Sequence, residues 1–479
     1  MKKSLVALAV LAATGAYAQS SVTLFGIVEA TTDIGYNRTQ DSTTTTNTFN
    51  AAGNGLLSTV STLSQTQKNG ARIQDGSDQG TGSSRIGFRG TEDLGGGLKA
   101  NFLLEMGLRI DDGCTTLSAA GGCDNGGGSG NSGGSTFGRN AWGGLSGAFG
   151  EVRLGRQVLG SFGVQGNSGA SGASNGLYDA TTASLIPMGG IRFSNAIRYL
   201  SPNFAGFTGS LMLAAPETSG AGGAFGPTST TAVSTTGVVT TFGASRRTAI
   251  DLALEYANGP AYVGFGYNKR DTGNIGTSSI PVAAGTTAQN NTGLLFPSTL
   301  VFPFVAGGPA TITGYTIGGA YDLGVVKPFV NYTRQKSDIN GVTTFTGVLP
   351  ANNTNTANSG DVNSRALSIG LRAPVGAFTI IAGYGRLNQT SNATTVFSNN
   401  VGTATSTGRV EEKRDLFQLG AQYALSKRTL VEANYGYNRL NSNGSAVVTT
   451  GPVAAGRTET FVSGKDRISA LNVGLKHSF

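Results

Sequence analysis

Residues 98–110 read LKANFLLEMGLRI, and their side chains alternate in character with a period of two. Every even position from Leu98 to Ile110 is apolar, whereas the odd positions include Lys99, Glu105 and Arg109. Successive side chains of a β-strand point to opposite faces of a sheet. The pattern therefore predicts a strand with one apolar and one polar face. A soluble sandwich would alternate in the same way, but its apolar face would be buried inside.

Segments of this kind recur along the whole chain. They are joined alternately by eight long, polar, glycine-rich connections and seven very short ones, such as EDLGGG after Thr91 and PVGA after Ala373. Glycine, Pro, Asn and Asp recur in the short links because tight turns need a positive or a preset φ. Short turns at one rim and long loops at the other are typical of an all-β, closed, antiparallel transmembrane barrel. We predict sixteen strands, near residues 22–36, 83–91, 97–110, 136–146, 150–157, 191–200, 206–215, 247–257, 261–270, 311–322, 325–335, 363–373, 376–387, 413–424, 428–439 and 465–479.

Composition is consistent with such a barrel. Beyond the first eighteen residues no stretch offers the roughly 18 consecutive apolar residues that a membrane helix needs, and the mean hydropathy is −0.05. A membrane role therefore requires a barrel, whose strands give only a weak hydropathy signal. The 75 glycines follow no Gly-X-Y period, which argues against a collagen-like chain. No linker or change of composition divides the strand series, so we predict one domain.

The first eighteen residues are typical of a secretory signal. Lys2 and Lys3 precede an apolar run, and a small-residue site ends at Ala18. Cleavage there would leave Gln19 first, with residues 19–479 as the barrel domain. The chain has 34 Lys and Arg against 26 Asp and Glu, so the loss of the two lysines leaves a net charge of +6. Inside a pore such a charge would bias the choice of ions, although it is also compatible with a merely soluble surface.

The sequence lacks the residues that several classes of function require. Cys114 and Cys123 lie in a Gly/Ser-rich stretch of an exported chain, which favours a local disulfide over a metal site. The only histidine is His477, so a hydrolytic triad has no base in the interior, and we expect no enzyme activity, cofactor or metal. The basic residues are scattered and form no run, which disfavours nucleic-acid binding.

Five segments together resemble the general trimeric porins of Gram-negative bacteria, especially the beta-proteobacterial branch. They are SVTLFGIVEA (21–30), GSSRIGFRGTEDLGGGLKANFLLE (82–105), FGRNAWGGLSGAFGEVRLGRQ (137–157), IRYLSPNFAGF (197–207) and FQLGAQYALSKRTLVEANYGYN (417–438). The resemblance implies a homotrimer in the outer membrane, in contact with lipid and lipopolysaccharide. Each barrel would hold a water-filled channel for small hydrophilic solutes, narrowed by an inward-folded third loop from about residue 158 to 190.

In that family, basic residues of the inner wall face acidic residues of the inward loop. The matching segments place Arg85, Arg139 and Arg192 at the constriction, with Arg198 deeper on the same side. Only Asp179 is acidic in the inward loop, and it serves equally well to cap a turn. An excess of arginine implies a preference for small anions. Some of these arginines instead pair with Glu105, Glu151 or loop acids in an alternative reading. The same alternation predicts that Trp142 and Phe193 point outward.

The last strand carries the most specific part of the resemblance. Leu475, His477 and the terminal Phe479 share its apolar face. A terminal Phe that closes an alternating strand resembles the signal read by the outer-membrane barrel-assembly machinery.

Two further functions remain open from the sequence. One is a substrate-specific porin for an anionic nutrient such as phosphate or a carboxylate, which a row of aromatic or basic residues inside the inward loop would favour, although Phe162 and Tyr178 are the only aromatic residues of that loop. The other is an adhesin or surface receptor, in which the long loops bind a partner and the barrel is an anchor.

Overall fold

The computed structural model of the chain describes residues 21–50, 56–74, 84–108, 110, 136–169, 179–186, 191–215, 232–233, 239–241, 248–272, 310–346, 353–399, 402–450 and 456–479. Within these ranges two helices, α1 (Gly160–Asn167) and α2 (Thr182–Leu185), lie between β6 and β7, and no helix there is long and apolar enough to cross a membrane. The strands are β1 (Ser21–Phe49), β2 (Leu56–Gln74), β3 (Arg85–Gly95), β4 (Leu98–Gly107), β5 (Asn140–Gly147), β6 (Gly150–Val158), β7 (Arg192–Leu200), β8 (Phe207–Ala214), β9 (Ala232–Val233), β10 (Val239–Thr241), β11 (Ala249–Asn258), β12 (Ala261–Thr272), β13 (Ala310–Tyr321), β14 (Lys327–Thr346), β15 (Asn353–Val375), β16 (Phe378–Asn399), β17 (Gly402–Ala424), β18 (Thr429–Thr450) and β19 (Gly456–Ser478).

Sixteen of these strands form a closed antiparallel barrel, which confirms the predicted fold class. Wall strands pair in chain order, and β1 closes the ring because it pairs with both β3 and β19. Ile27 lies opposite Arg85 on one side and opposite Ser478 on the other. The other three strands extend the wall: β2 pairs with the outer part of β1, and β9 and β10 are short segments, of which β10 pairs with β14.

The seven short links are tight turns on one rim, as predicted. Gly95, Gly324 and Gly376 have φ values of 85°, 84° and 62°, a region that glycine enters without steric cost. Carboxylates complete two of these turns: Gly95 N donates to Asp93 Oδ1 at 2.9 Å, and Gly324 N donates to Asp322 Oδ1 at 2.8 Å. Turn-forming residues that the sequence shows therefore explain why the connections at this rim are short.

The opposite ends of several strands are longer than predicted. Strands β14 to β19 have 20 to 23 residues each, and β1 has 29. At about 3.4 Å per residue, a 22-residue strand is about 75 Å long, whereas the apolar band of such a barrel is about 25 Å tall. These strands continue as paired hairpins into stretches that the sequence reading assigns to loops. Thr and Val there suit extended pairing, although few of the residues are apolar enough to mark a strand.

The two faces of the wall differ in the sense that the alternation predicts. Leu24, Phe88, Leu154 and Ile197 point outward and are 41% to 56% exposed on the outer surface. Polar side chains such as Glu29 and Asn268 lie on the inner face and are buried. The barrel thus has an apolar outside and a polar inside, which is the arrangement of a barrel in lipid around a polar lumen.

The chain ends by closing the barrel. Gly26 N donates to Phe479 O at 3.0 Å, and Phe479 N donates to Gly26 O at 3.1 Å. The Phe479 ring lies over Gly26, where a Cβ atom would stand 2.9 Å from Phe479 Cε1. Glycine at position 26 therefore provides the space for the terminal ring. On the same outer face, His477 Nδ1 is 2.8 Å from Thr429 Oγ1, and Leu475 is exposed.

Candidate functional site

The connection between β6 and β7 folds into the barrel, as predicted for residues 158–190, and its described parts are residues 159–169 and 179–186. Leu159 and Phe162 pack against Phe193, Ala196 and Met212 of the inner wall, and all five side chains are buried. An apolar cluster inside a polar lumen requires a partner that excludes water from it. The inward segment provides that partner and narrows the lumen.

The beginning of α1 is held by one wall carboxylate. Asp251 on β11 is fully buried, and its Oδ1 accepts hydrogen bonds from Gly160 N at 2.7 Å and from Ser161 N at 3.2 Å. Ser161 Oγ also donates to Asp251 Oδ2. A carboxylate at a helix N-terminus satisfies N–H groups that have no partner within the helix. Asp251 therefore fixes where the inward segment starts.

Further polar contacts hold the rest of the segment to the far wall. Gln165 Nε2 donates to Ile186 O and to Thr333 Oγ1, both at 2.9 Å, which joins the two ends of the segment to β14. Ala180 N donates to Gln418 Oε1 of β17 at 3.1 Å. These bonds span β11 to β17, so the segment crosses the lumen.

Inward-facing glycines make room for the segment. A Cβ atom at Gly266 would lie 2.6 Å from Ser161 Cα, and one at Gly385 would lie 2.9 Å from Leu185 Cδ1. Positions this close to other atoms tolerate no side chain. The same holds at Gly264 beside Val164 and at Gly318 beside Ser168, and a Cβ atom at Gly383 would lie 3.1 Å from Ala180 Cβ, which would have to shift slightly. We call these five residues the glycine track.

Four arginines gather on the adjoining wall. Arg85 lies on β3, Arg139 immediately before β5, Arg156 on β6 and Arg192 on β7; we call them the arginine cluster. Arg192 interacts electrostatically with the other three arginines and with Glu105. The three predicted constriction residues are therefore close together, with Arg156 as a fourth member that the sequence analysis leaves unassigned. Arg153 lies opposite Arg198, so strict alternation would turn Arg156 to the outer face; the register shift between Gly155 and Gln157 interrupts that alternation at Arg156, and alternation in the sequence therefore does not identify it.

Two acidic side chains, Glu105 and Glu29, interact with the cluster, and Glu29 also pairs with Lys476. Arg139 Nε forms a buried salt bridge with Glu105, so the alternative of an Arg–Glu105 pair applies to this residue. Arg156 donates to Gly138 O at 2.6 Å and to Ser194 Oγ at 2.7 Å, both of which are neutral acceptors. Four guanidinium groups thus face two carboxylates, one of which also pairs with Lys476, so positive charge is in excess in the cluster.

The other two predicted residues have contacts that stabilise the inward segment. Arg198 donates to Val158 O at 3.0 Å and to Ser210 Oγ at 3.2 Å, which supports the point where the segment leaves β6. Asp179 is buried, and its Oδ2 accepts from Ser184 Oγ at 2.7 Å and from Thr181 Oγ1 at 3.1 Å. The sequence is compatible with Asp179 either facing the pore or capping a turn, and these hydrogen bonds are those of a turn cap.

Two predicted side-chain directions are wrong. Trp142 lies opposite Leu103 in the register and shares the inner face with it, since Arg139 stands before the strand and does not set its alternation. Arg153 Cζ lies 4.2 Å from the centre of the Trp142 ring. Phe193 is also inward, because an extra residue at Asn195, where φ is 53°, breaks the alternation of β7. A bulge reverses every face on one side of it.

Other predictions fall on residues without a description. Cys114, Cys123 and residues 1–18 lie outside the described ranges. Within those ranges, no three His, Cys, Asp or Glu residues are grouped as they would be to hold a metal ion. On β1, Glu29 is buried beside Lys476, with 3.2 Å between Glu29 Oε2 and Lys476 Nζ.

Comparison with known proteins gives the family of the chain. It is 30% identical to outer membrane porin protein 32 of Delftia acidovorans over 100% of both chains. It is 28% identical to an outer membrane porin protein of Bordetella pertussis over 91% of this chain and 94% of that one. A solved structure described as an anion-selective porin from Comamonas acidovorans has 24% identity and a TM-score of 0.45, covering 96% of this chain and 100% of that chain. A sequence profile described as Gram-negative porin matches residues 4–443, and the chain therefore belongs to this family of outer-membrane channels.

Proposed function

We propose that this porin lets small hydrophilic solutes diffuse across the outer membrane and prefers anions among them. The observation that carries the preference is the arginine cluster, whose four guanidinium groups outnumber the carboxylates that act on it, Glu105 and Glu29. A guanidinium remains charged at any working pH and offers several donors to a carboxylate or phosphate. In a narrow aqueous passage, wall charges are screened less than at an open surface, so a small excess of arginine sets the sign of selectivity.

The inward segment does not offset this excess within its described part. Its acid, Asp179, is turned toward Thr181 and Ser184 of the same segment. The wall acid nearest its start, Asp251, is occupied by Gly160 and Ser161. Both carboxylates therefore serve the structure of the segment, and neither is among the charges that act on Arg85 and Arg192, so the arginine cluster dominates the field at the constriction.

Liposome swelling with glucose and gluconate tests this function, because the two solutes are similar in size and differ in charge. We expect both to enter liposomes that contain the folded protein, and gluconate to enter faster than glucose. Uptake of neither solute would contradict the diffusion channel. Slower uptake of gluconate would contradict the anion preference alone.

We also propose a homotrimer, surrounded by outer-membrane lipid and lipopolysaccharide. Family membership supports this assembly, and so does the low side of the wall, where β5 to β8 have only eight or nine residues. Strands of this length barely span the apolar band of about 25 Å, which suits a side covered by a neighbouring subunit. Cross-linking of the purified protein in detergent should give a trimer band.

Residues 1–18 as a cleaved signal and a Cys114–Cys123 disulfide complete the proposal. An exported chain meets oxidising conditions in which such a bond persists. Mass spectrometry of the outer-membrane protein should give a chain that begins at Gln19 and is lighter than the reduced form by two hydrogen atoms. Free thiols at Cys114 and Cys123 in the isolated protein would contradict the disulfide.

We propose that Leu475, His477 and Phe479 present the chain to the barrel-assembly machinery. Phe479→Ala keeps the backbone pair with Gly26 and removes the ring, so we expect a several-fold loss of folded protein in cells, with unaided refolding in detergent nearly unchanged. Phe204→Ala, which removes an exposed ring from a turn, is the matched control. The heat-modifiable fraction on gels measures both. Equal losses in cells and in detergent would indicate a purely structural role.

A further inference from the structure

A cavity of about 610 Å³ opens on the inner wall beside the arginine cluster. Its lining comes from β1, β3, β4, β5 and β6 and includes Phe25, Arg89, Asn101, Glu105, Trp142 and Glu151. Cavities of this size, with apolar rings and a few polar groups, are typical of sites for small organic ligands. The role of the arginine cluster in ion choice does not account for two aromatic rings at this place.

The first ring is Trp142, which is held rigidly. Arg153 covers one face of the ring at 4.2 Å, and Arg153 Nη2 in turn forms a 2.6 Å salt bridge with Glu151 Oε2. Asn101 Nδ2 donates to Glu151 Oε1 at 3.4 Å. The carboxylate of Glu151 is therefore satisfied by its neighbours, and the indole presents a fixed aromatic surface to the cavity.

The second ring is Phe25, which lies over Gly87. A Cβ atom at Gly87 would stand 2.6 Å from Phe25 Cζ, so the glycine lets the ring lie flat on the wall. Arg89 Cζ is 5.3 Å from the centre of this ring. The Arg89 side chain is exposed, and within the described part of the chain it lies over the Phe25 ring, so its donors are open to the lumen.

The register sets the spacing between these groups. Arg89, Leu103 and Trp142 lie side by side in one row of the inner face, on β3, β4 and β5. Two strand spacings separate Arg89 from Trp142, which is about 10 Å between their backbones. That span accommodates one aromatic ring with a carboxylate attached to it.

We infer that this cavity binds small aromatic carboxylates, with the carboxylate on Arg89 and the ring against Trp142 and Phe25. The inference rests on the proposed function, because the cavity opens into the lumen that anions are proposed to cross. Arginine binds carboxylates through paired, charge-assisted hydrogen bonds. Aromatic rings stack favourably in offset or edge-to-face arrangements. Affinity in the millimolar range is expected, since a channel must release what it binds.

The charges around the cavity select against the other ligand classes. Glu105 is paired with Arg139 and Glu151 with Arg153, so no carboxylate is left to attract an aromatic cation. An aliphatic acid of the same size would keep the bond to Arg89 and lose the ring contacts. The site therefore distinguishes benzoate from cyclohexanecarboxylate.

Trp142 is the only tryptophan of the chain, so intrinsic fluorescence reports on this site directly. The folded protein in detergent is titrated with 4-nitrobenzoate, which quenches indole emission, and then with competitors. We expect saturable quenching, reversed by benzoate and not by cyclohexanecarboxylate. Arg89→Gln should raise the half-saturating concentration by about tenfold or more. Arg428→Gln, which removes a charge from an exposed turn, should leave it unchanged.

Purely collisional quenching, linear in 4-nitrobenzoate and identical in Arg89→Gln, would overturn the inference. Equal reversal by both competitors would overturn the aromatic selectivity. These readouts do not depend on ion selectivity. If quenching is linear but the channel is anion-selective, the aromatic site is wrong and the proposed function stands. If quenching is saturable but the channel is cation-selective, the proposed function is wrong and the aromatic site stands.

Discussion

Replacing Arg85 and Arg192 together with glutamine should reduce the ratio of chloride to potassium permeability by at least about tenfold, because two positive charges leave the constriction. A unit charge about 5 Å from a passing ion contributes ~0.8 kcal/mol even at the dielectric constant of water. The two removals raise the free energy of chloride and lower that of potassium at the same point. The measurement is the zero-current potential of the reconstituted variant across a KCl gradient.

Lys427→Gln with Arg428→Gln is the matched control, because this double variant removes the same charge from an exposed turn at the rim with the short connections. The control should retain most of the anion preference of the unmodified protein. The effect of Arg85→Gln/Arg192→Gln should also be larger at low salt, since screening weakens wall charges as salt rises. Equal shifts in the two double variants would show that net charge, and not the arginine cluster, determines selectivity.

The second large effect is expected at Asp251. Asp251→Ala removes the acceptor of three donors, Gly160 N, Ser161 N and Ser161 Oγ. A buried donor left without a partner costs ~1–3 kcal/mol, so the equilibrium constant for docking α1 on the barrel wall should fall by roughly a hundredfold. The contacts of Gln165 and Ala180 keep the rest of the segment in place. The constriction should widen and fluctuate, with faster entry of raffinose relative to arabinose in liposome swelling and noisier single-channel currents.

Asp322→Ala serves as the control for this change. It also removes one carboxylate and one hydrogen bond to a backbone N–H, from Gly324 in a turn outside the lumen. Its raffinose-to-arabinose ratio should equal that of the unmodified protein. An unchanged ratio in Asp251→Ala, with the barrel folded, would show that the glycine track and the remaining bonds suffice to hold the segment.

Alternation and turn chemistry are local, and they were sufficient to predict the barrel. Each wall strand has its own period of two, and turn residues at links such as 375–378 mark where strands reverse. The outer hairpins could not be predicted, because Thr- and Asn-rich strands beyond the membrane no longer alternate in polarity. Pairing with neighbours, which is non-local, is what keeps residues such as Ser42 and Ser442 in strands.

The candidate site was predictable only in part, for a related reason. Arg85 follows from its predicted face and from the resemblance, whereas Trp142, Phe193 and Arg192 depend on where a strand begins and on one inserted residue at Asn195. The glycines that make room for the inward segment give only a weak signal in the sequence. Glycines alternate with an outward aromatic residue in GFG (264–266) and GYG (383–385), as they must where the inner side is occupied.

The most direct test of the anion-preferring channel is the zero-current potential of the unmodified protein in a planar bilayer across a KCl gradient. The arginine cluster predicts a potential displaced toward the equilibrium value of chloride, and the proposed trimer predicts openings in steps of three. A potential displaced toward the equilibrium value of potassium would contradict the account of selectivity.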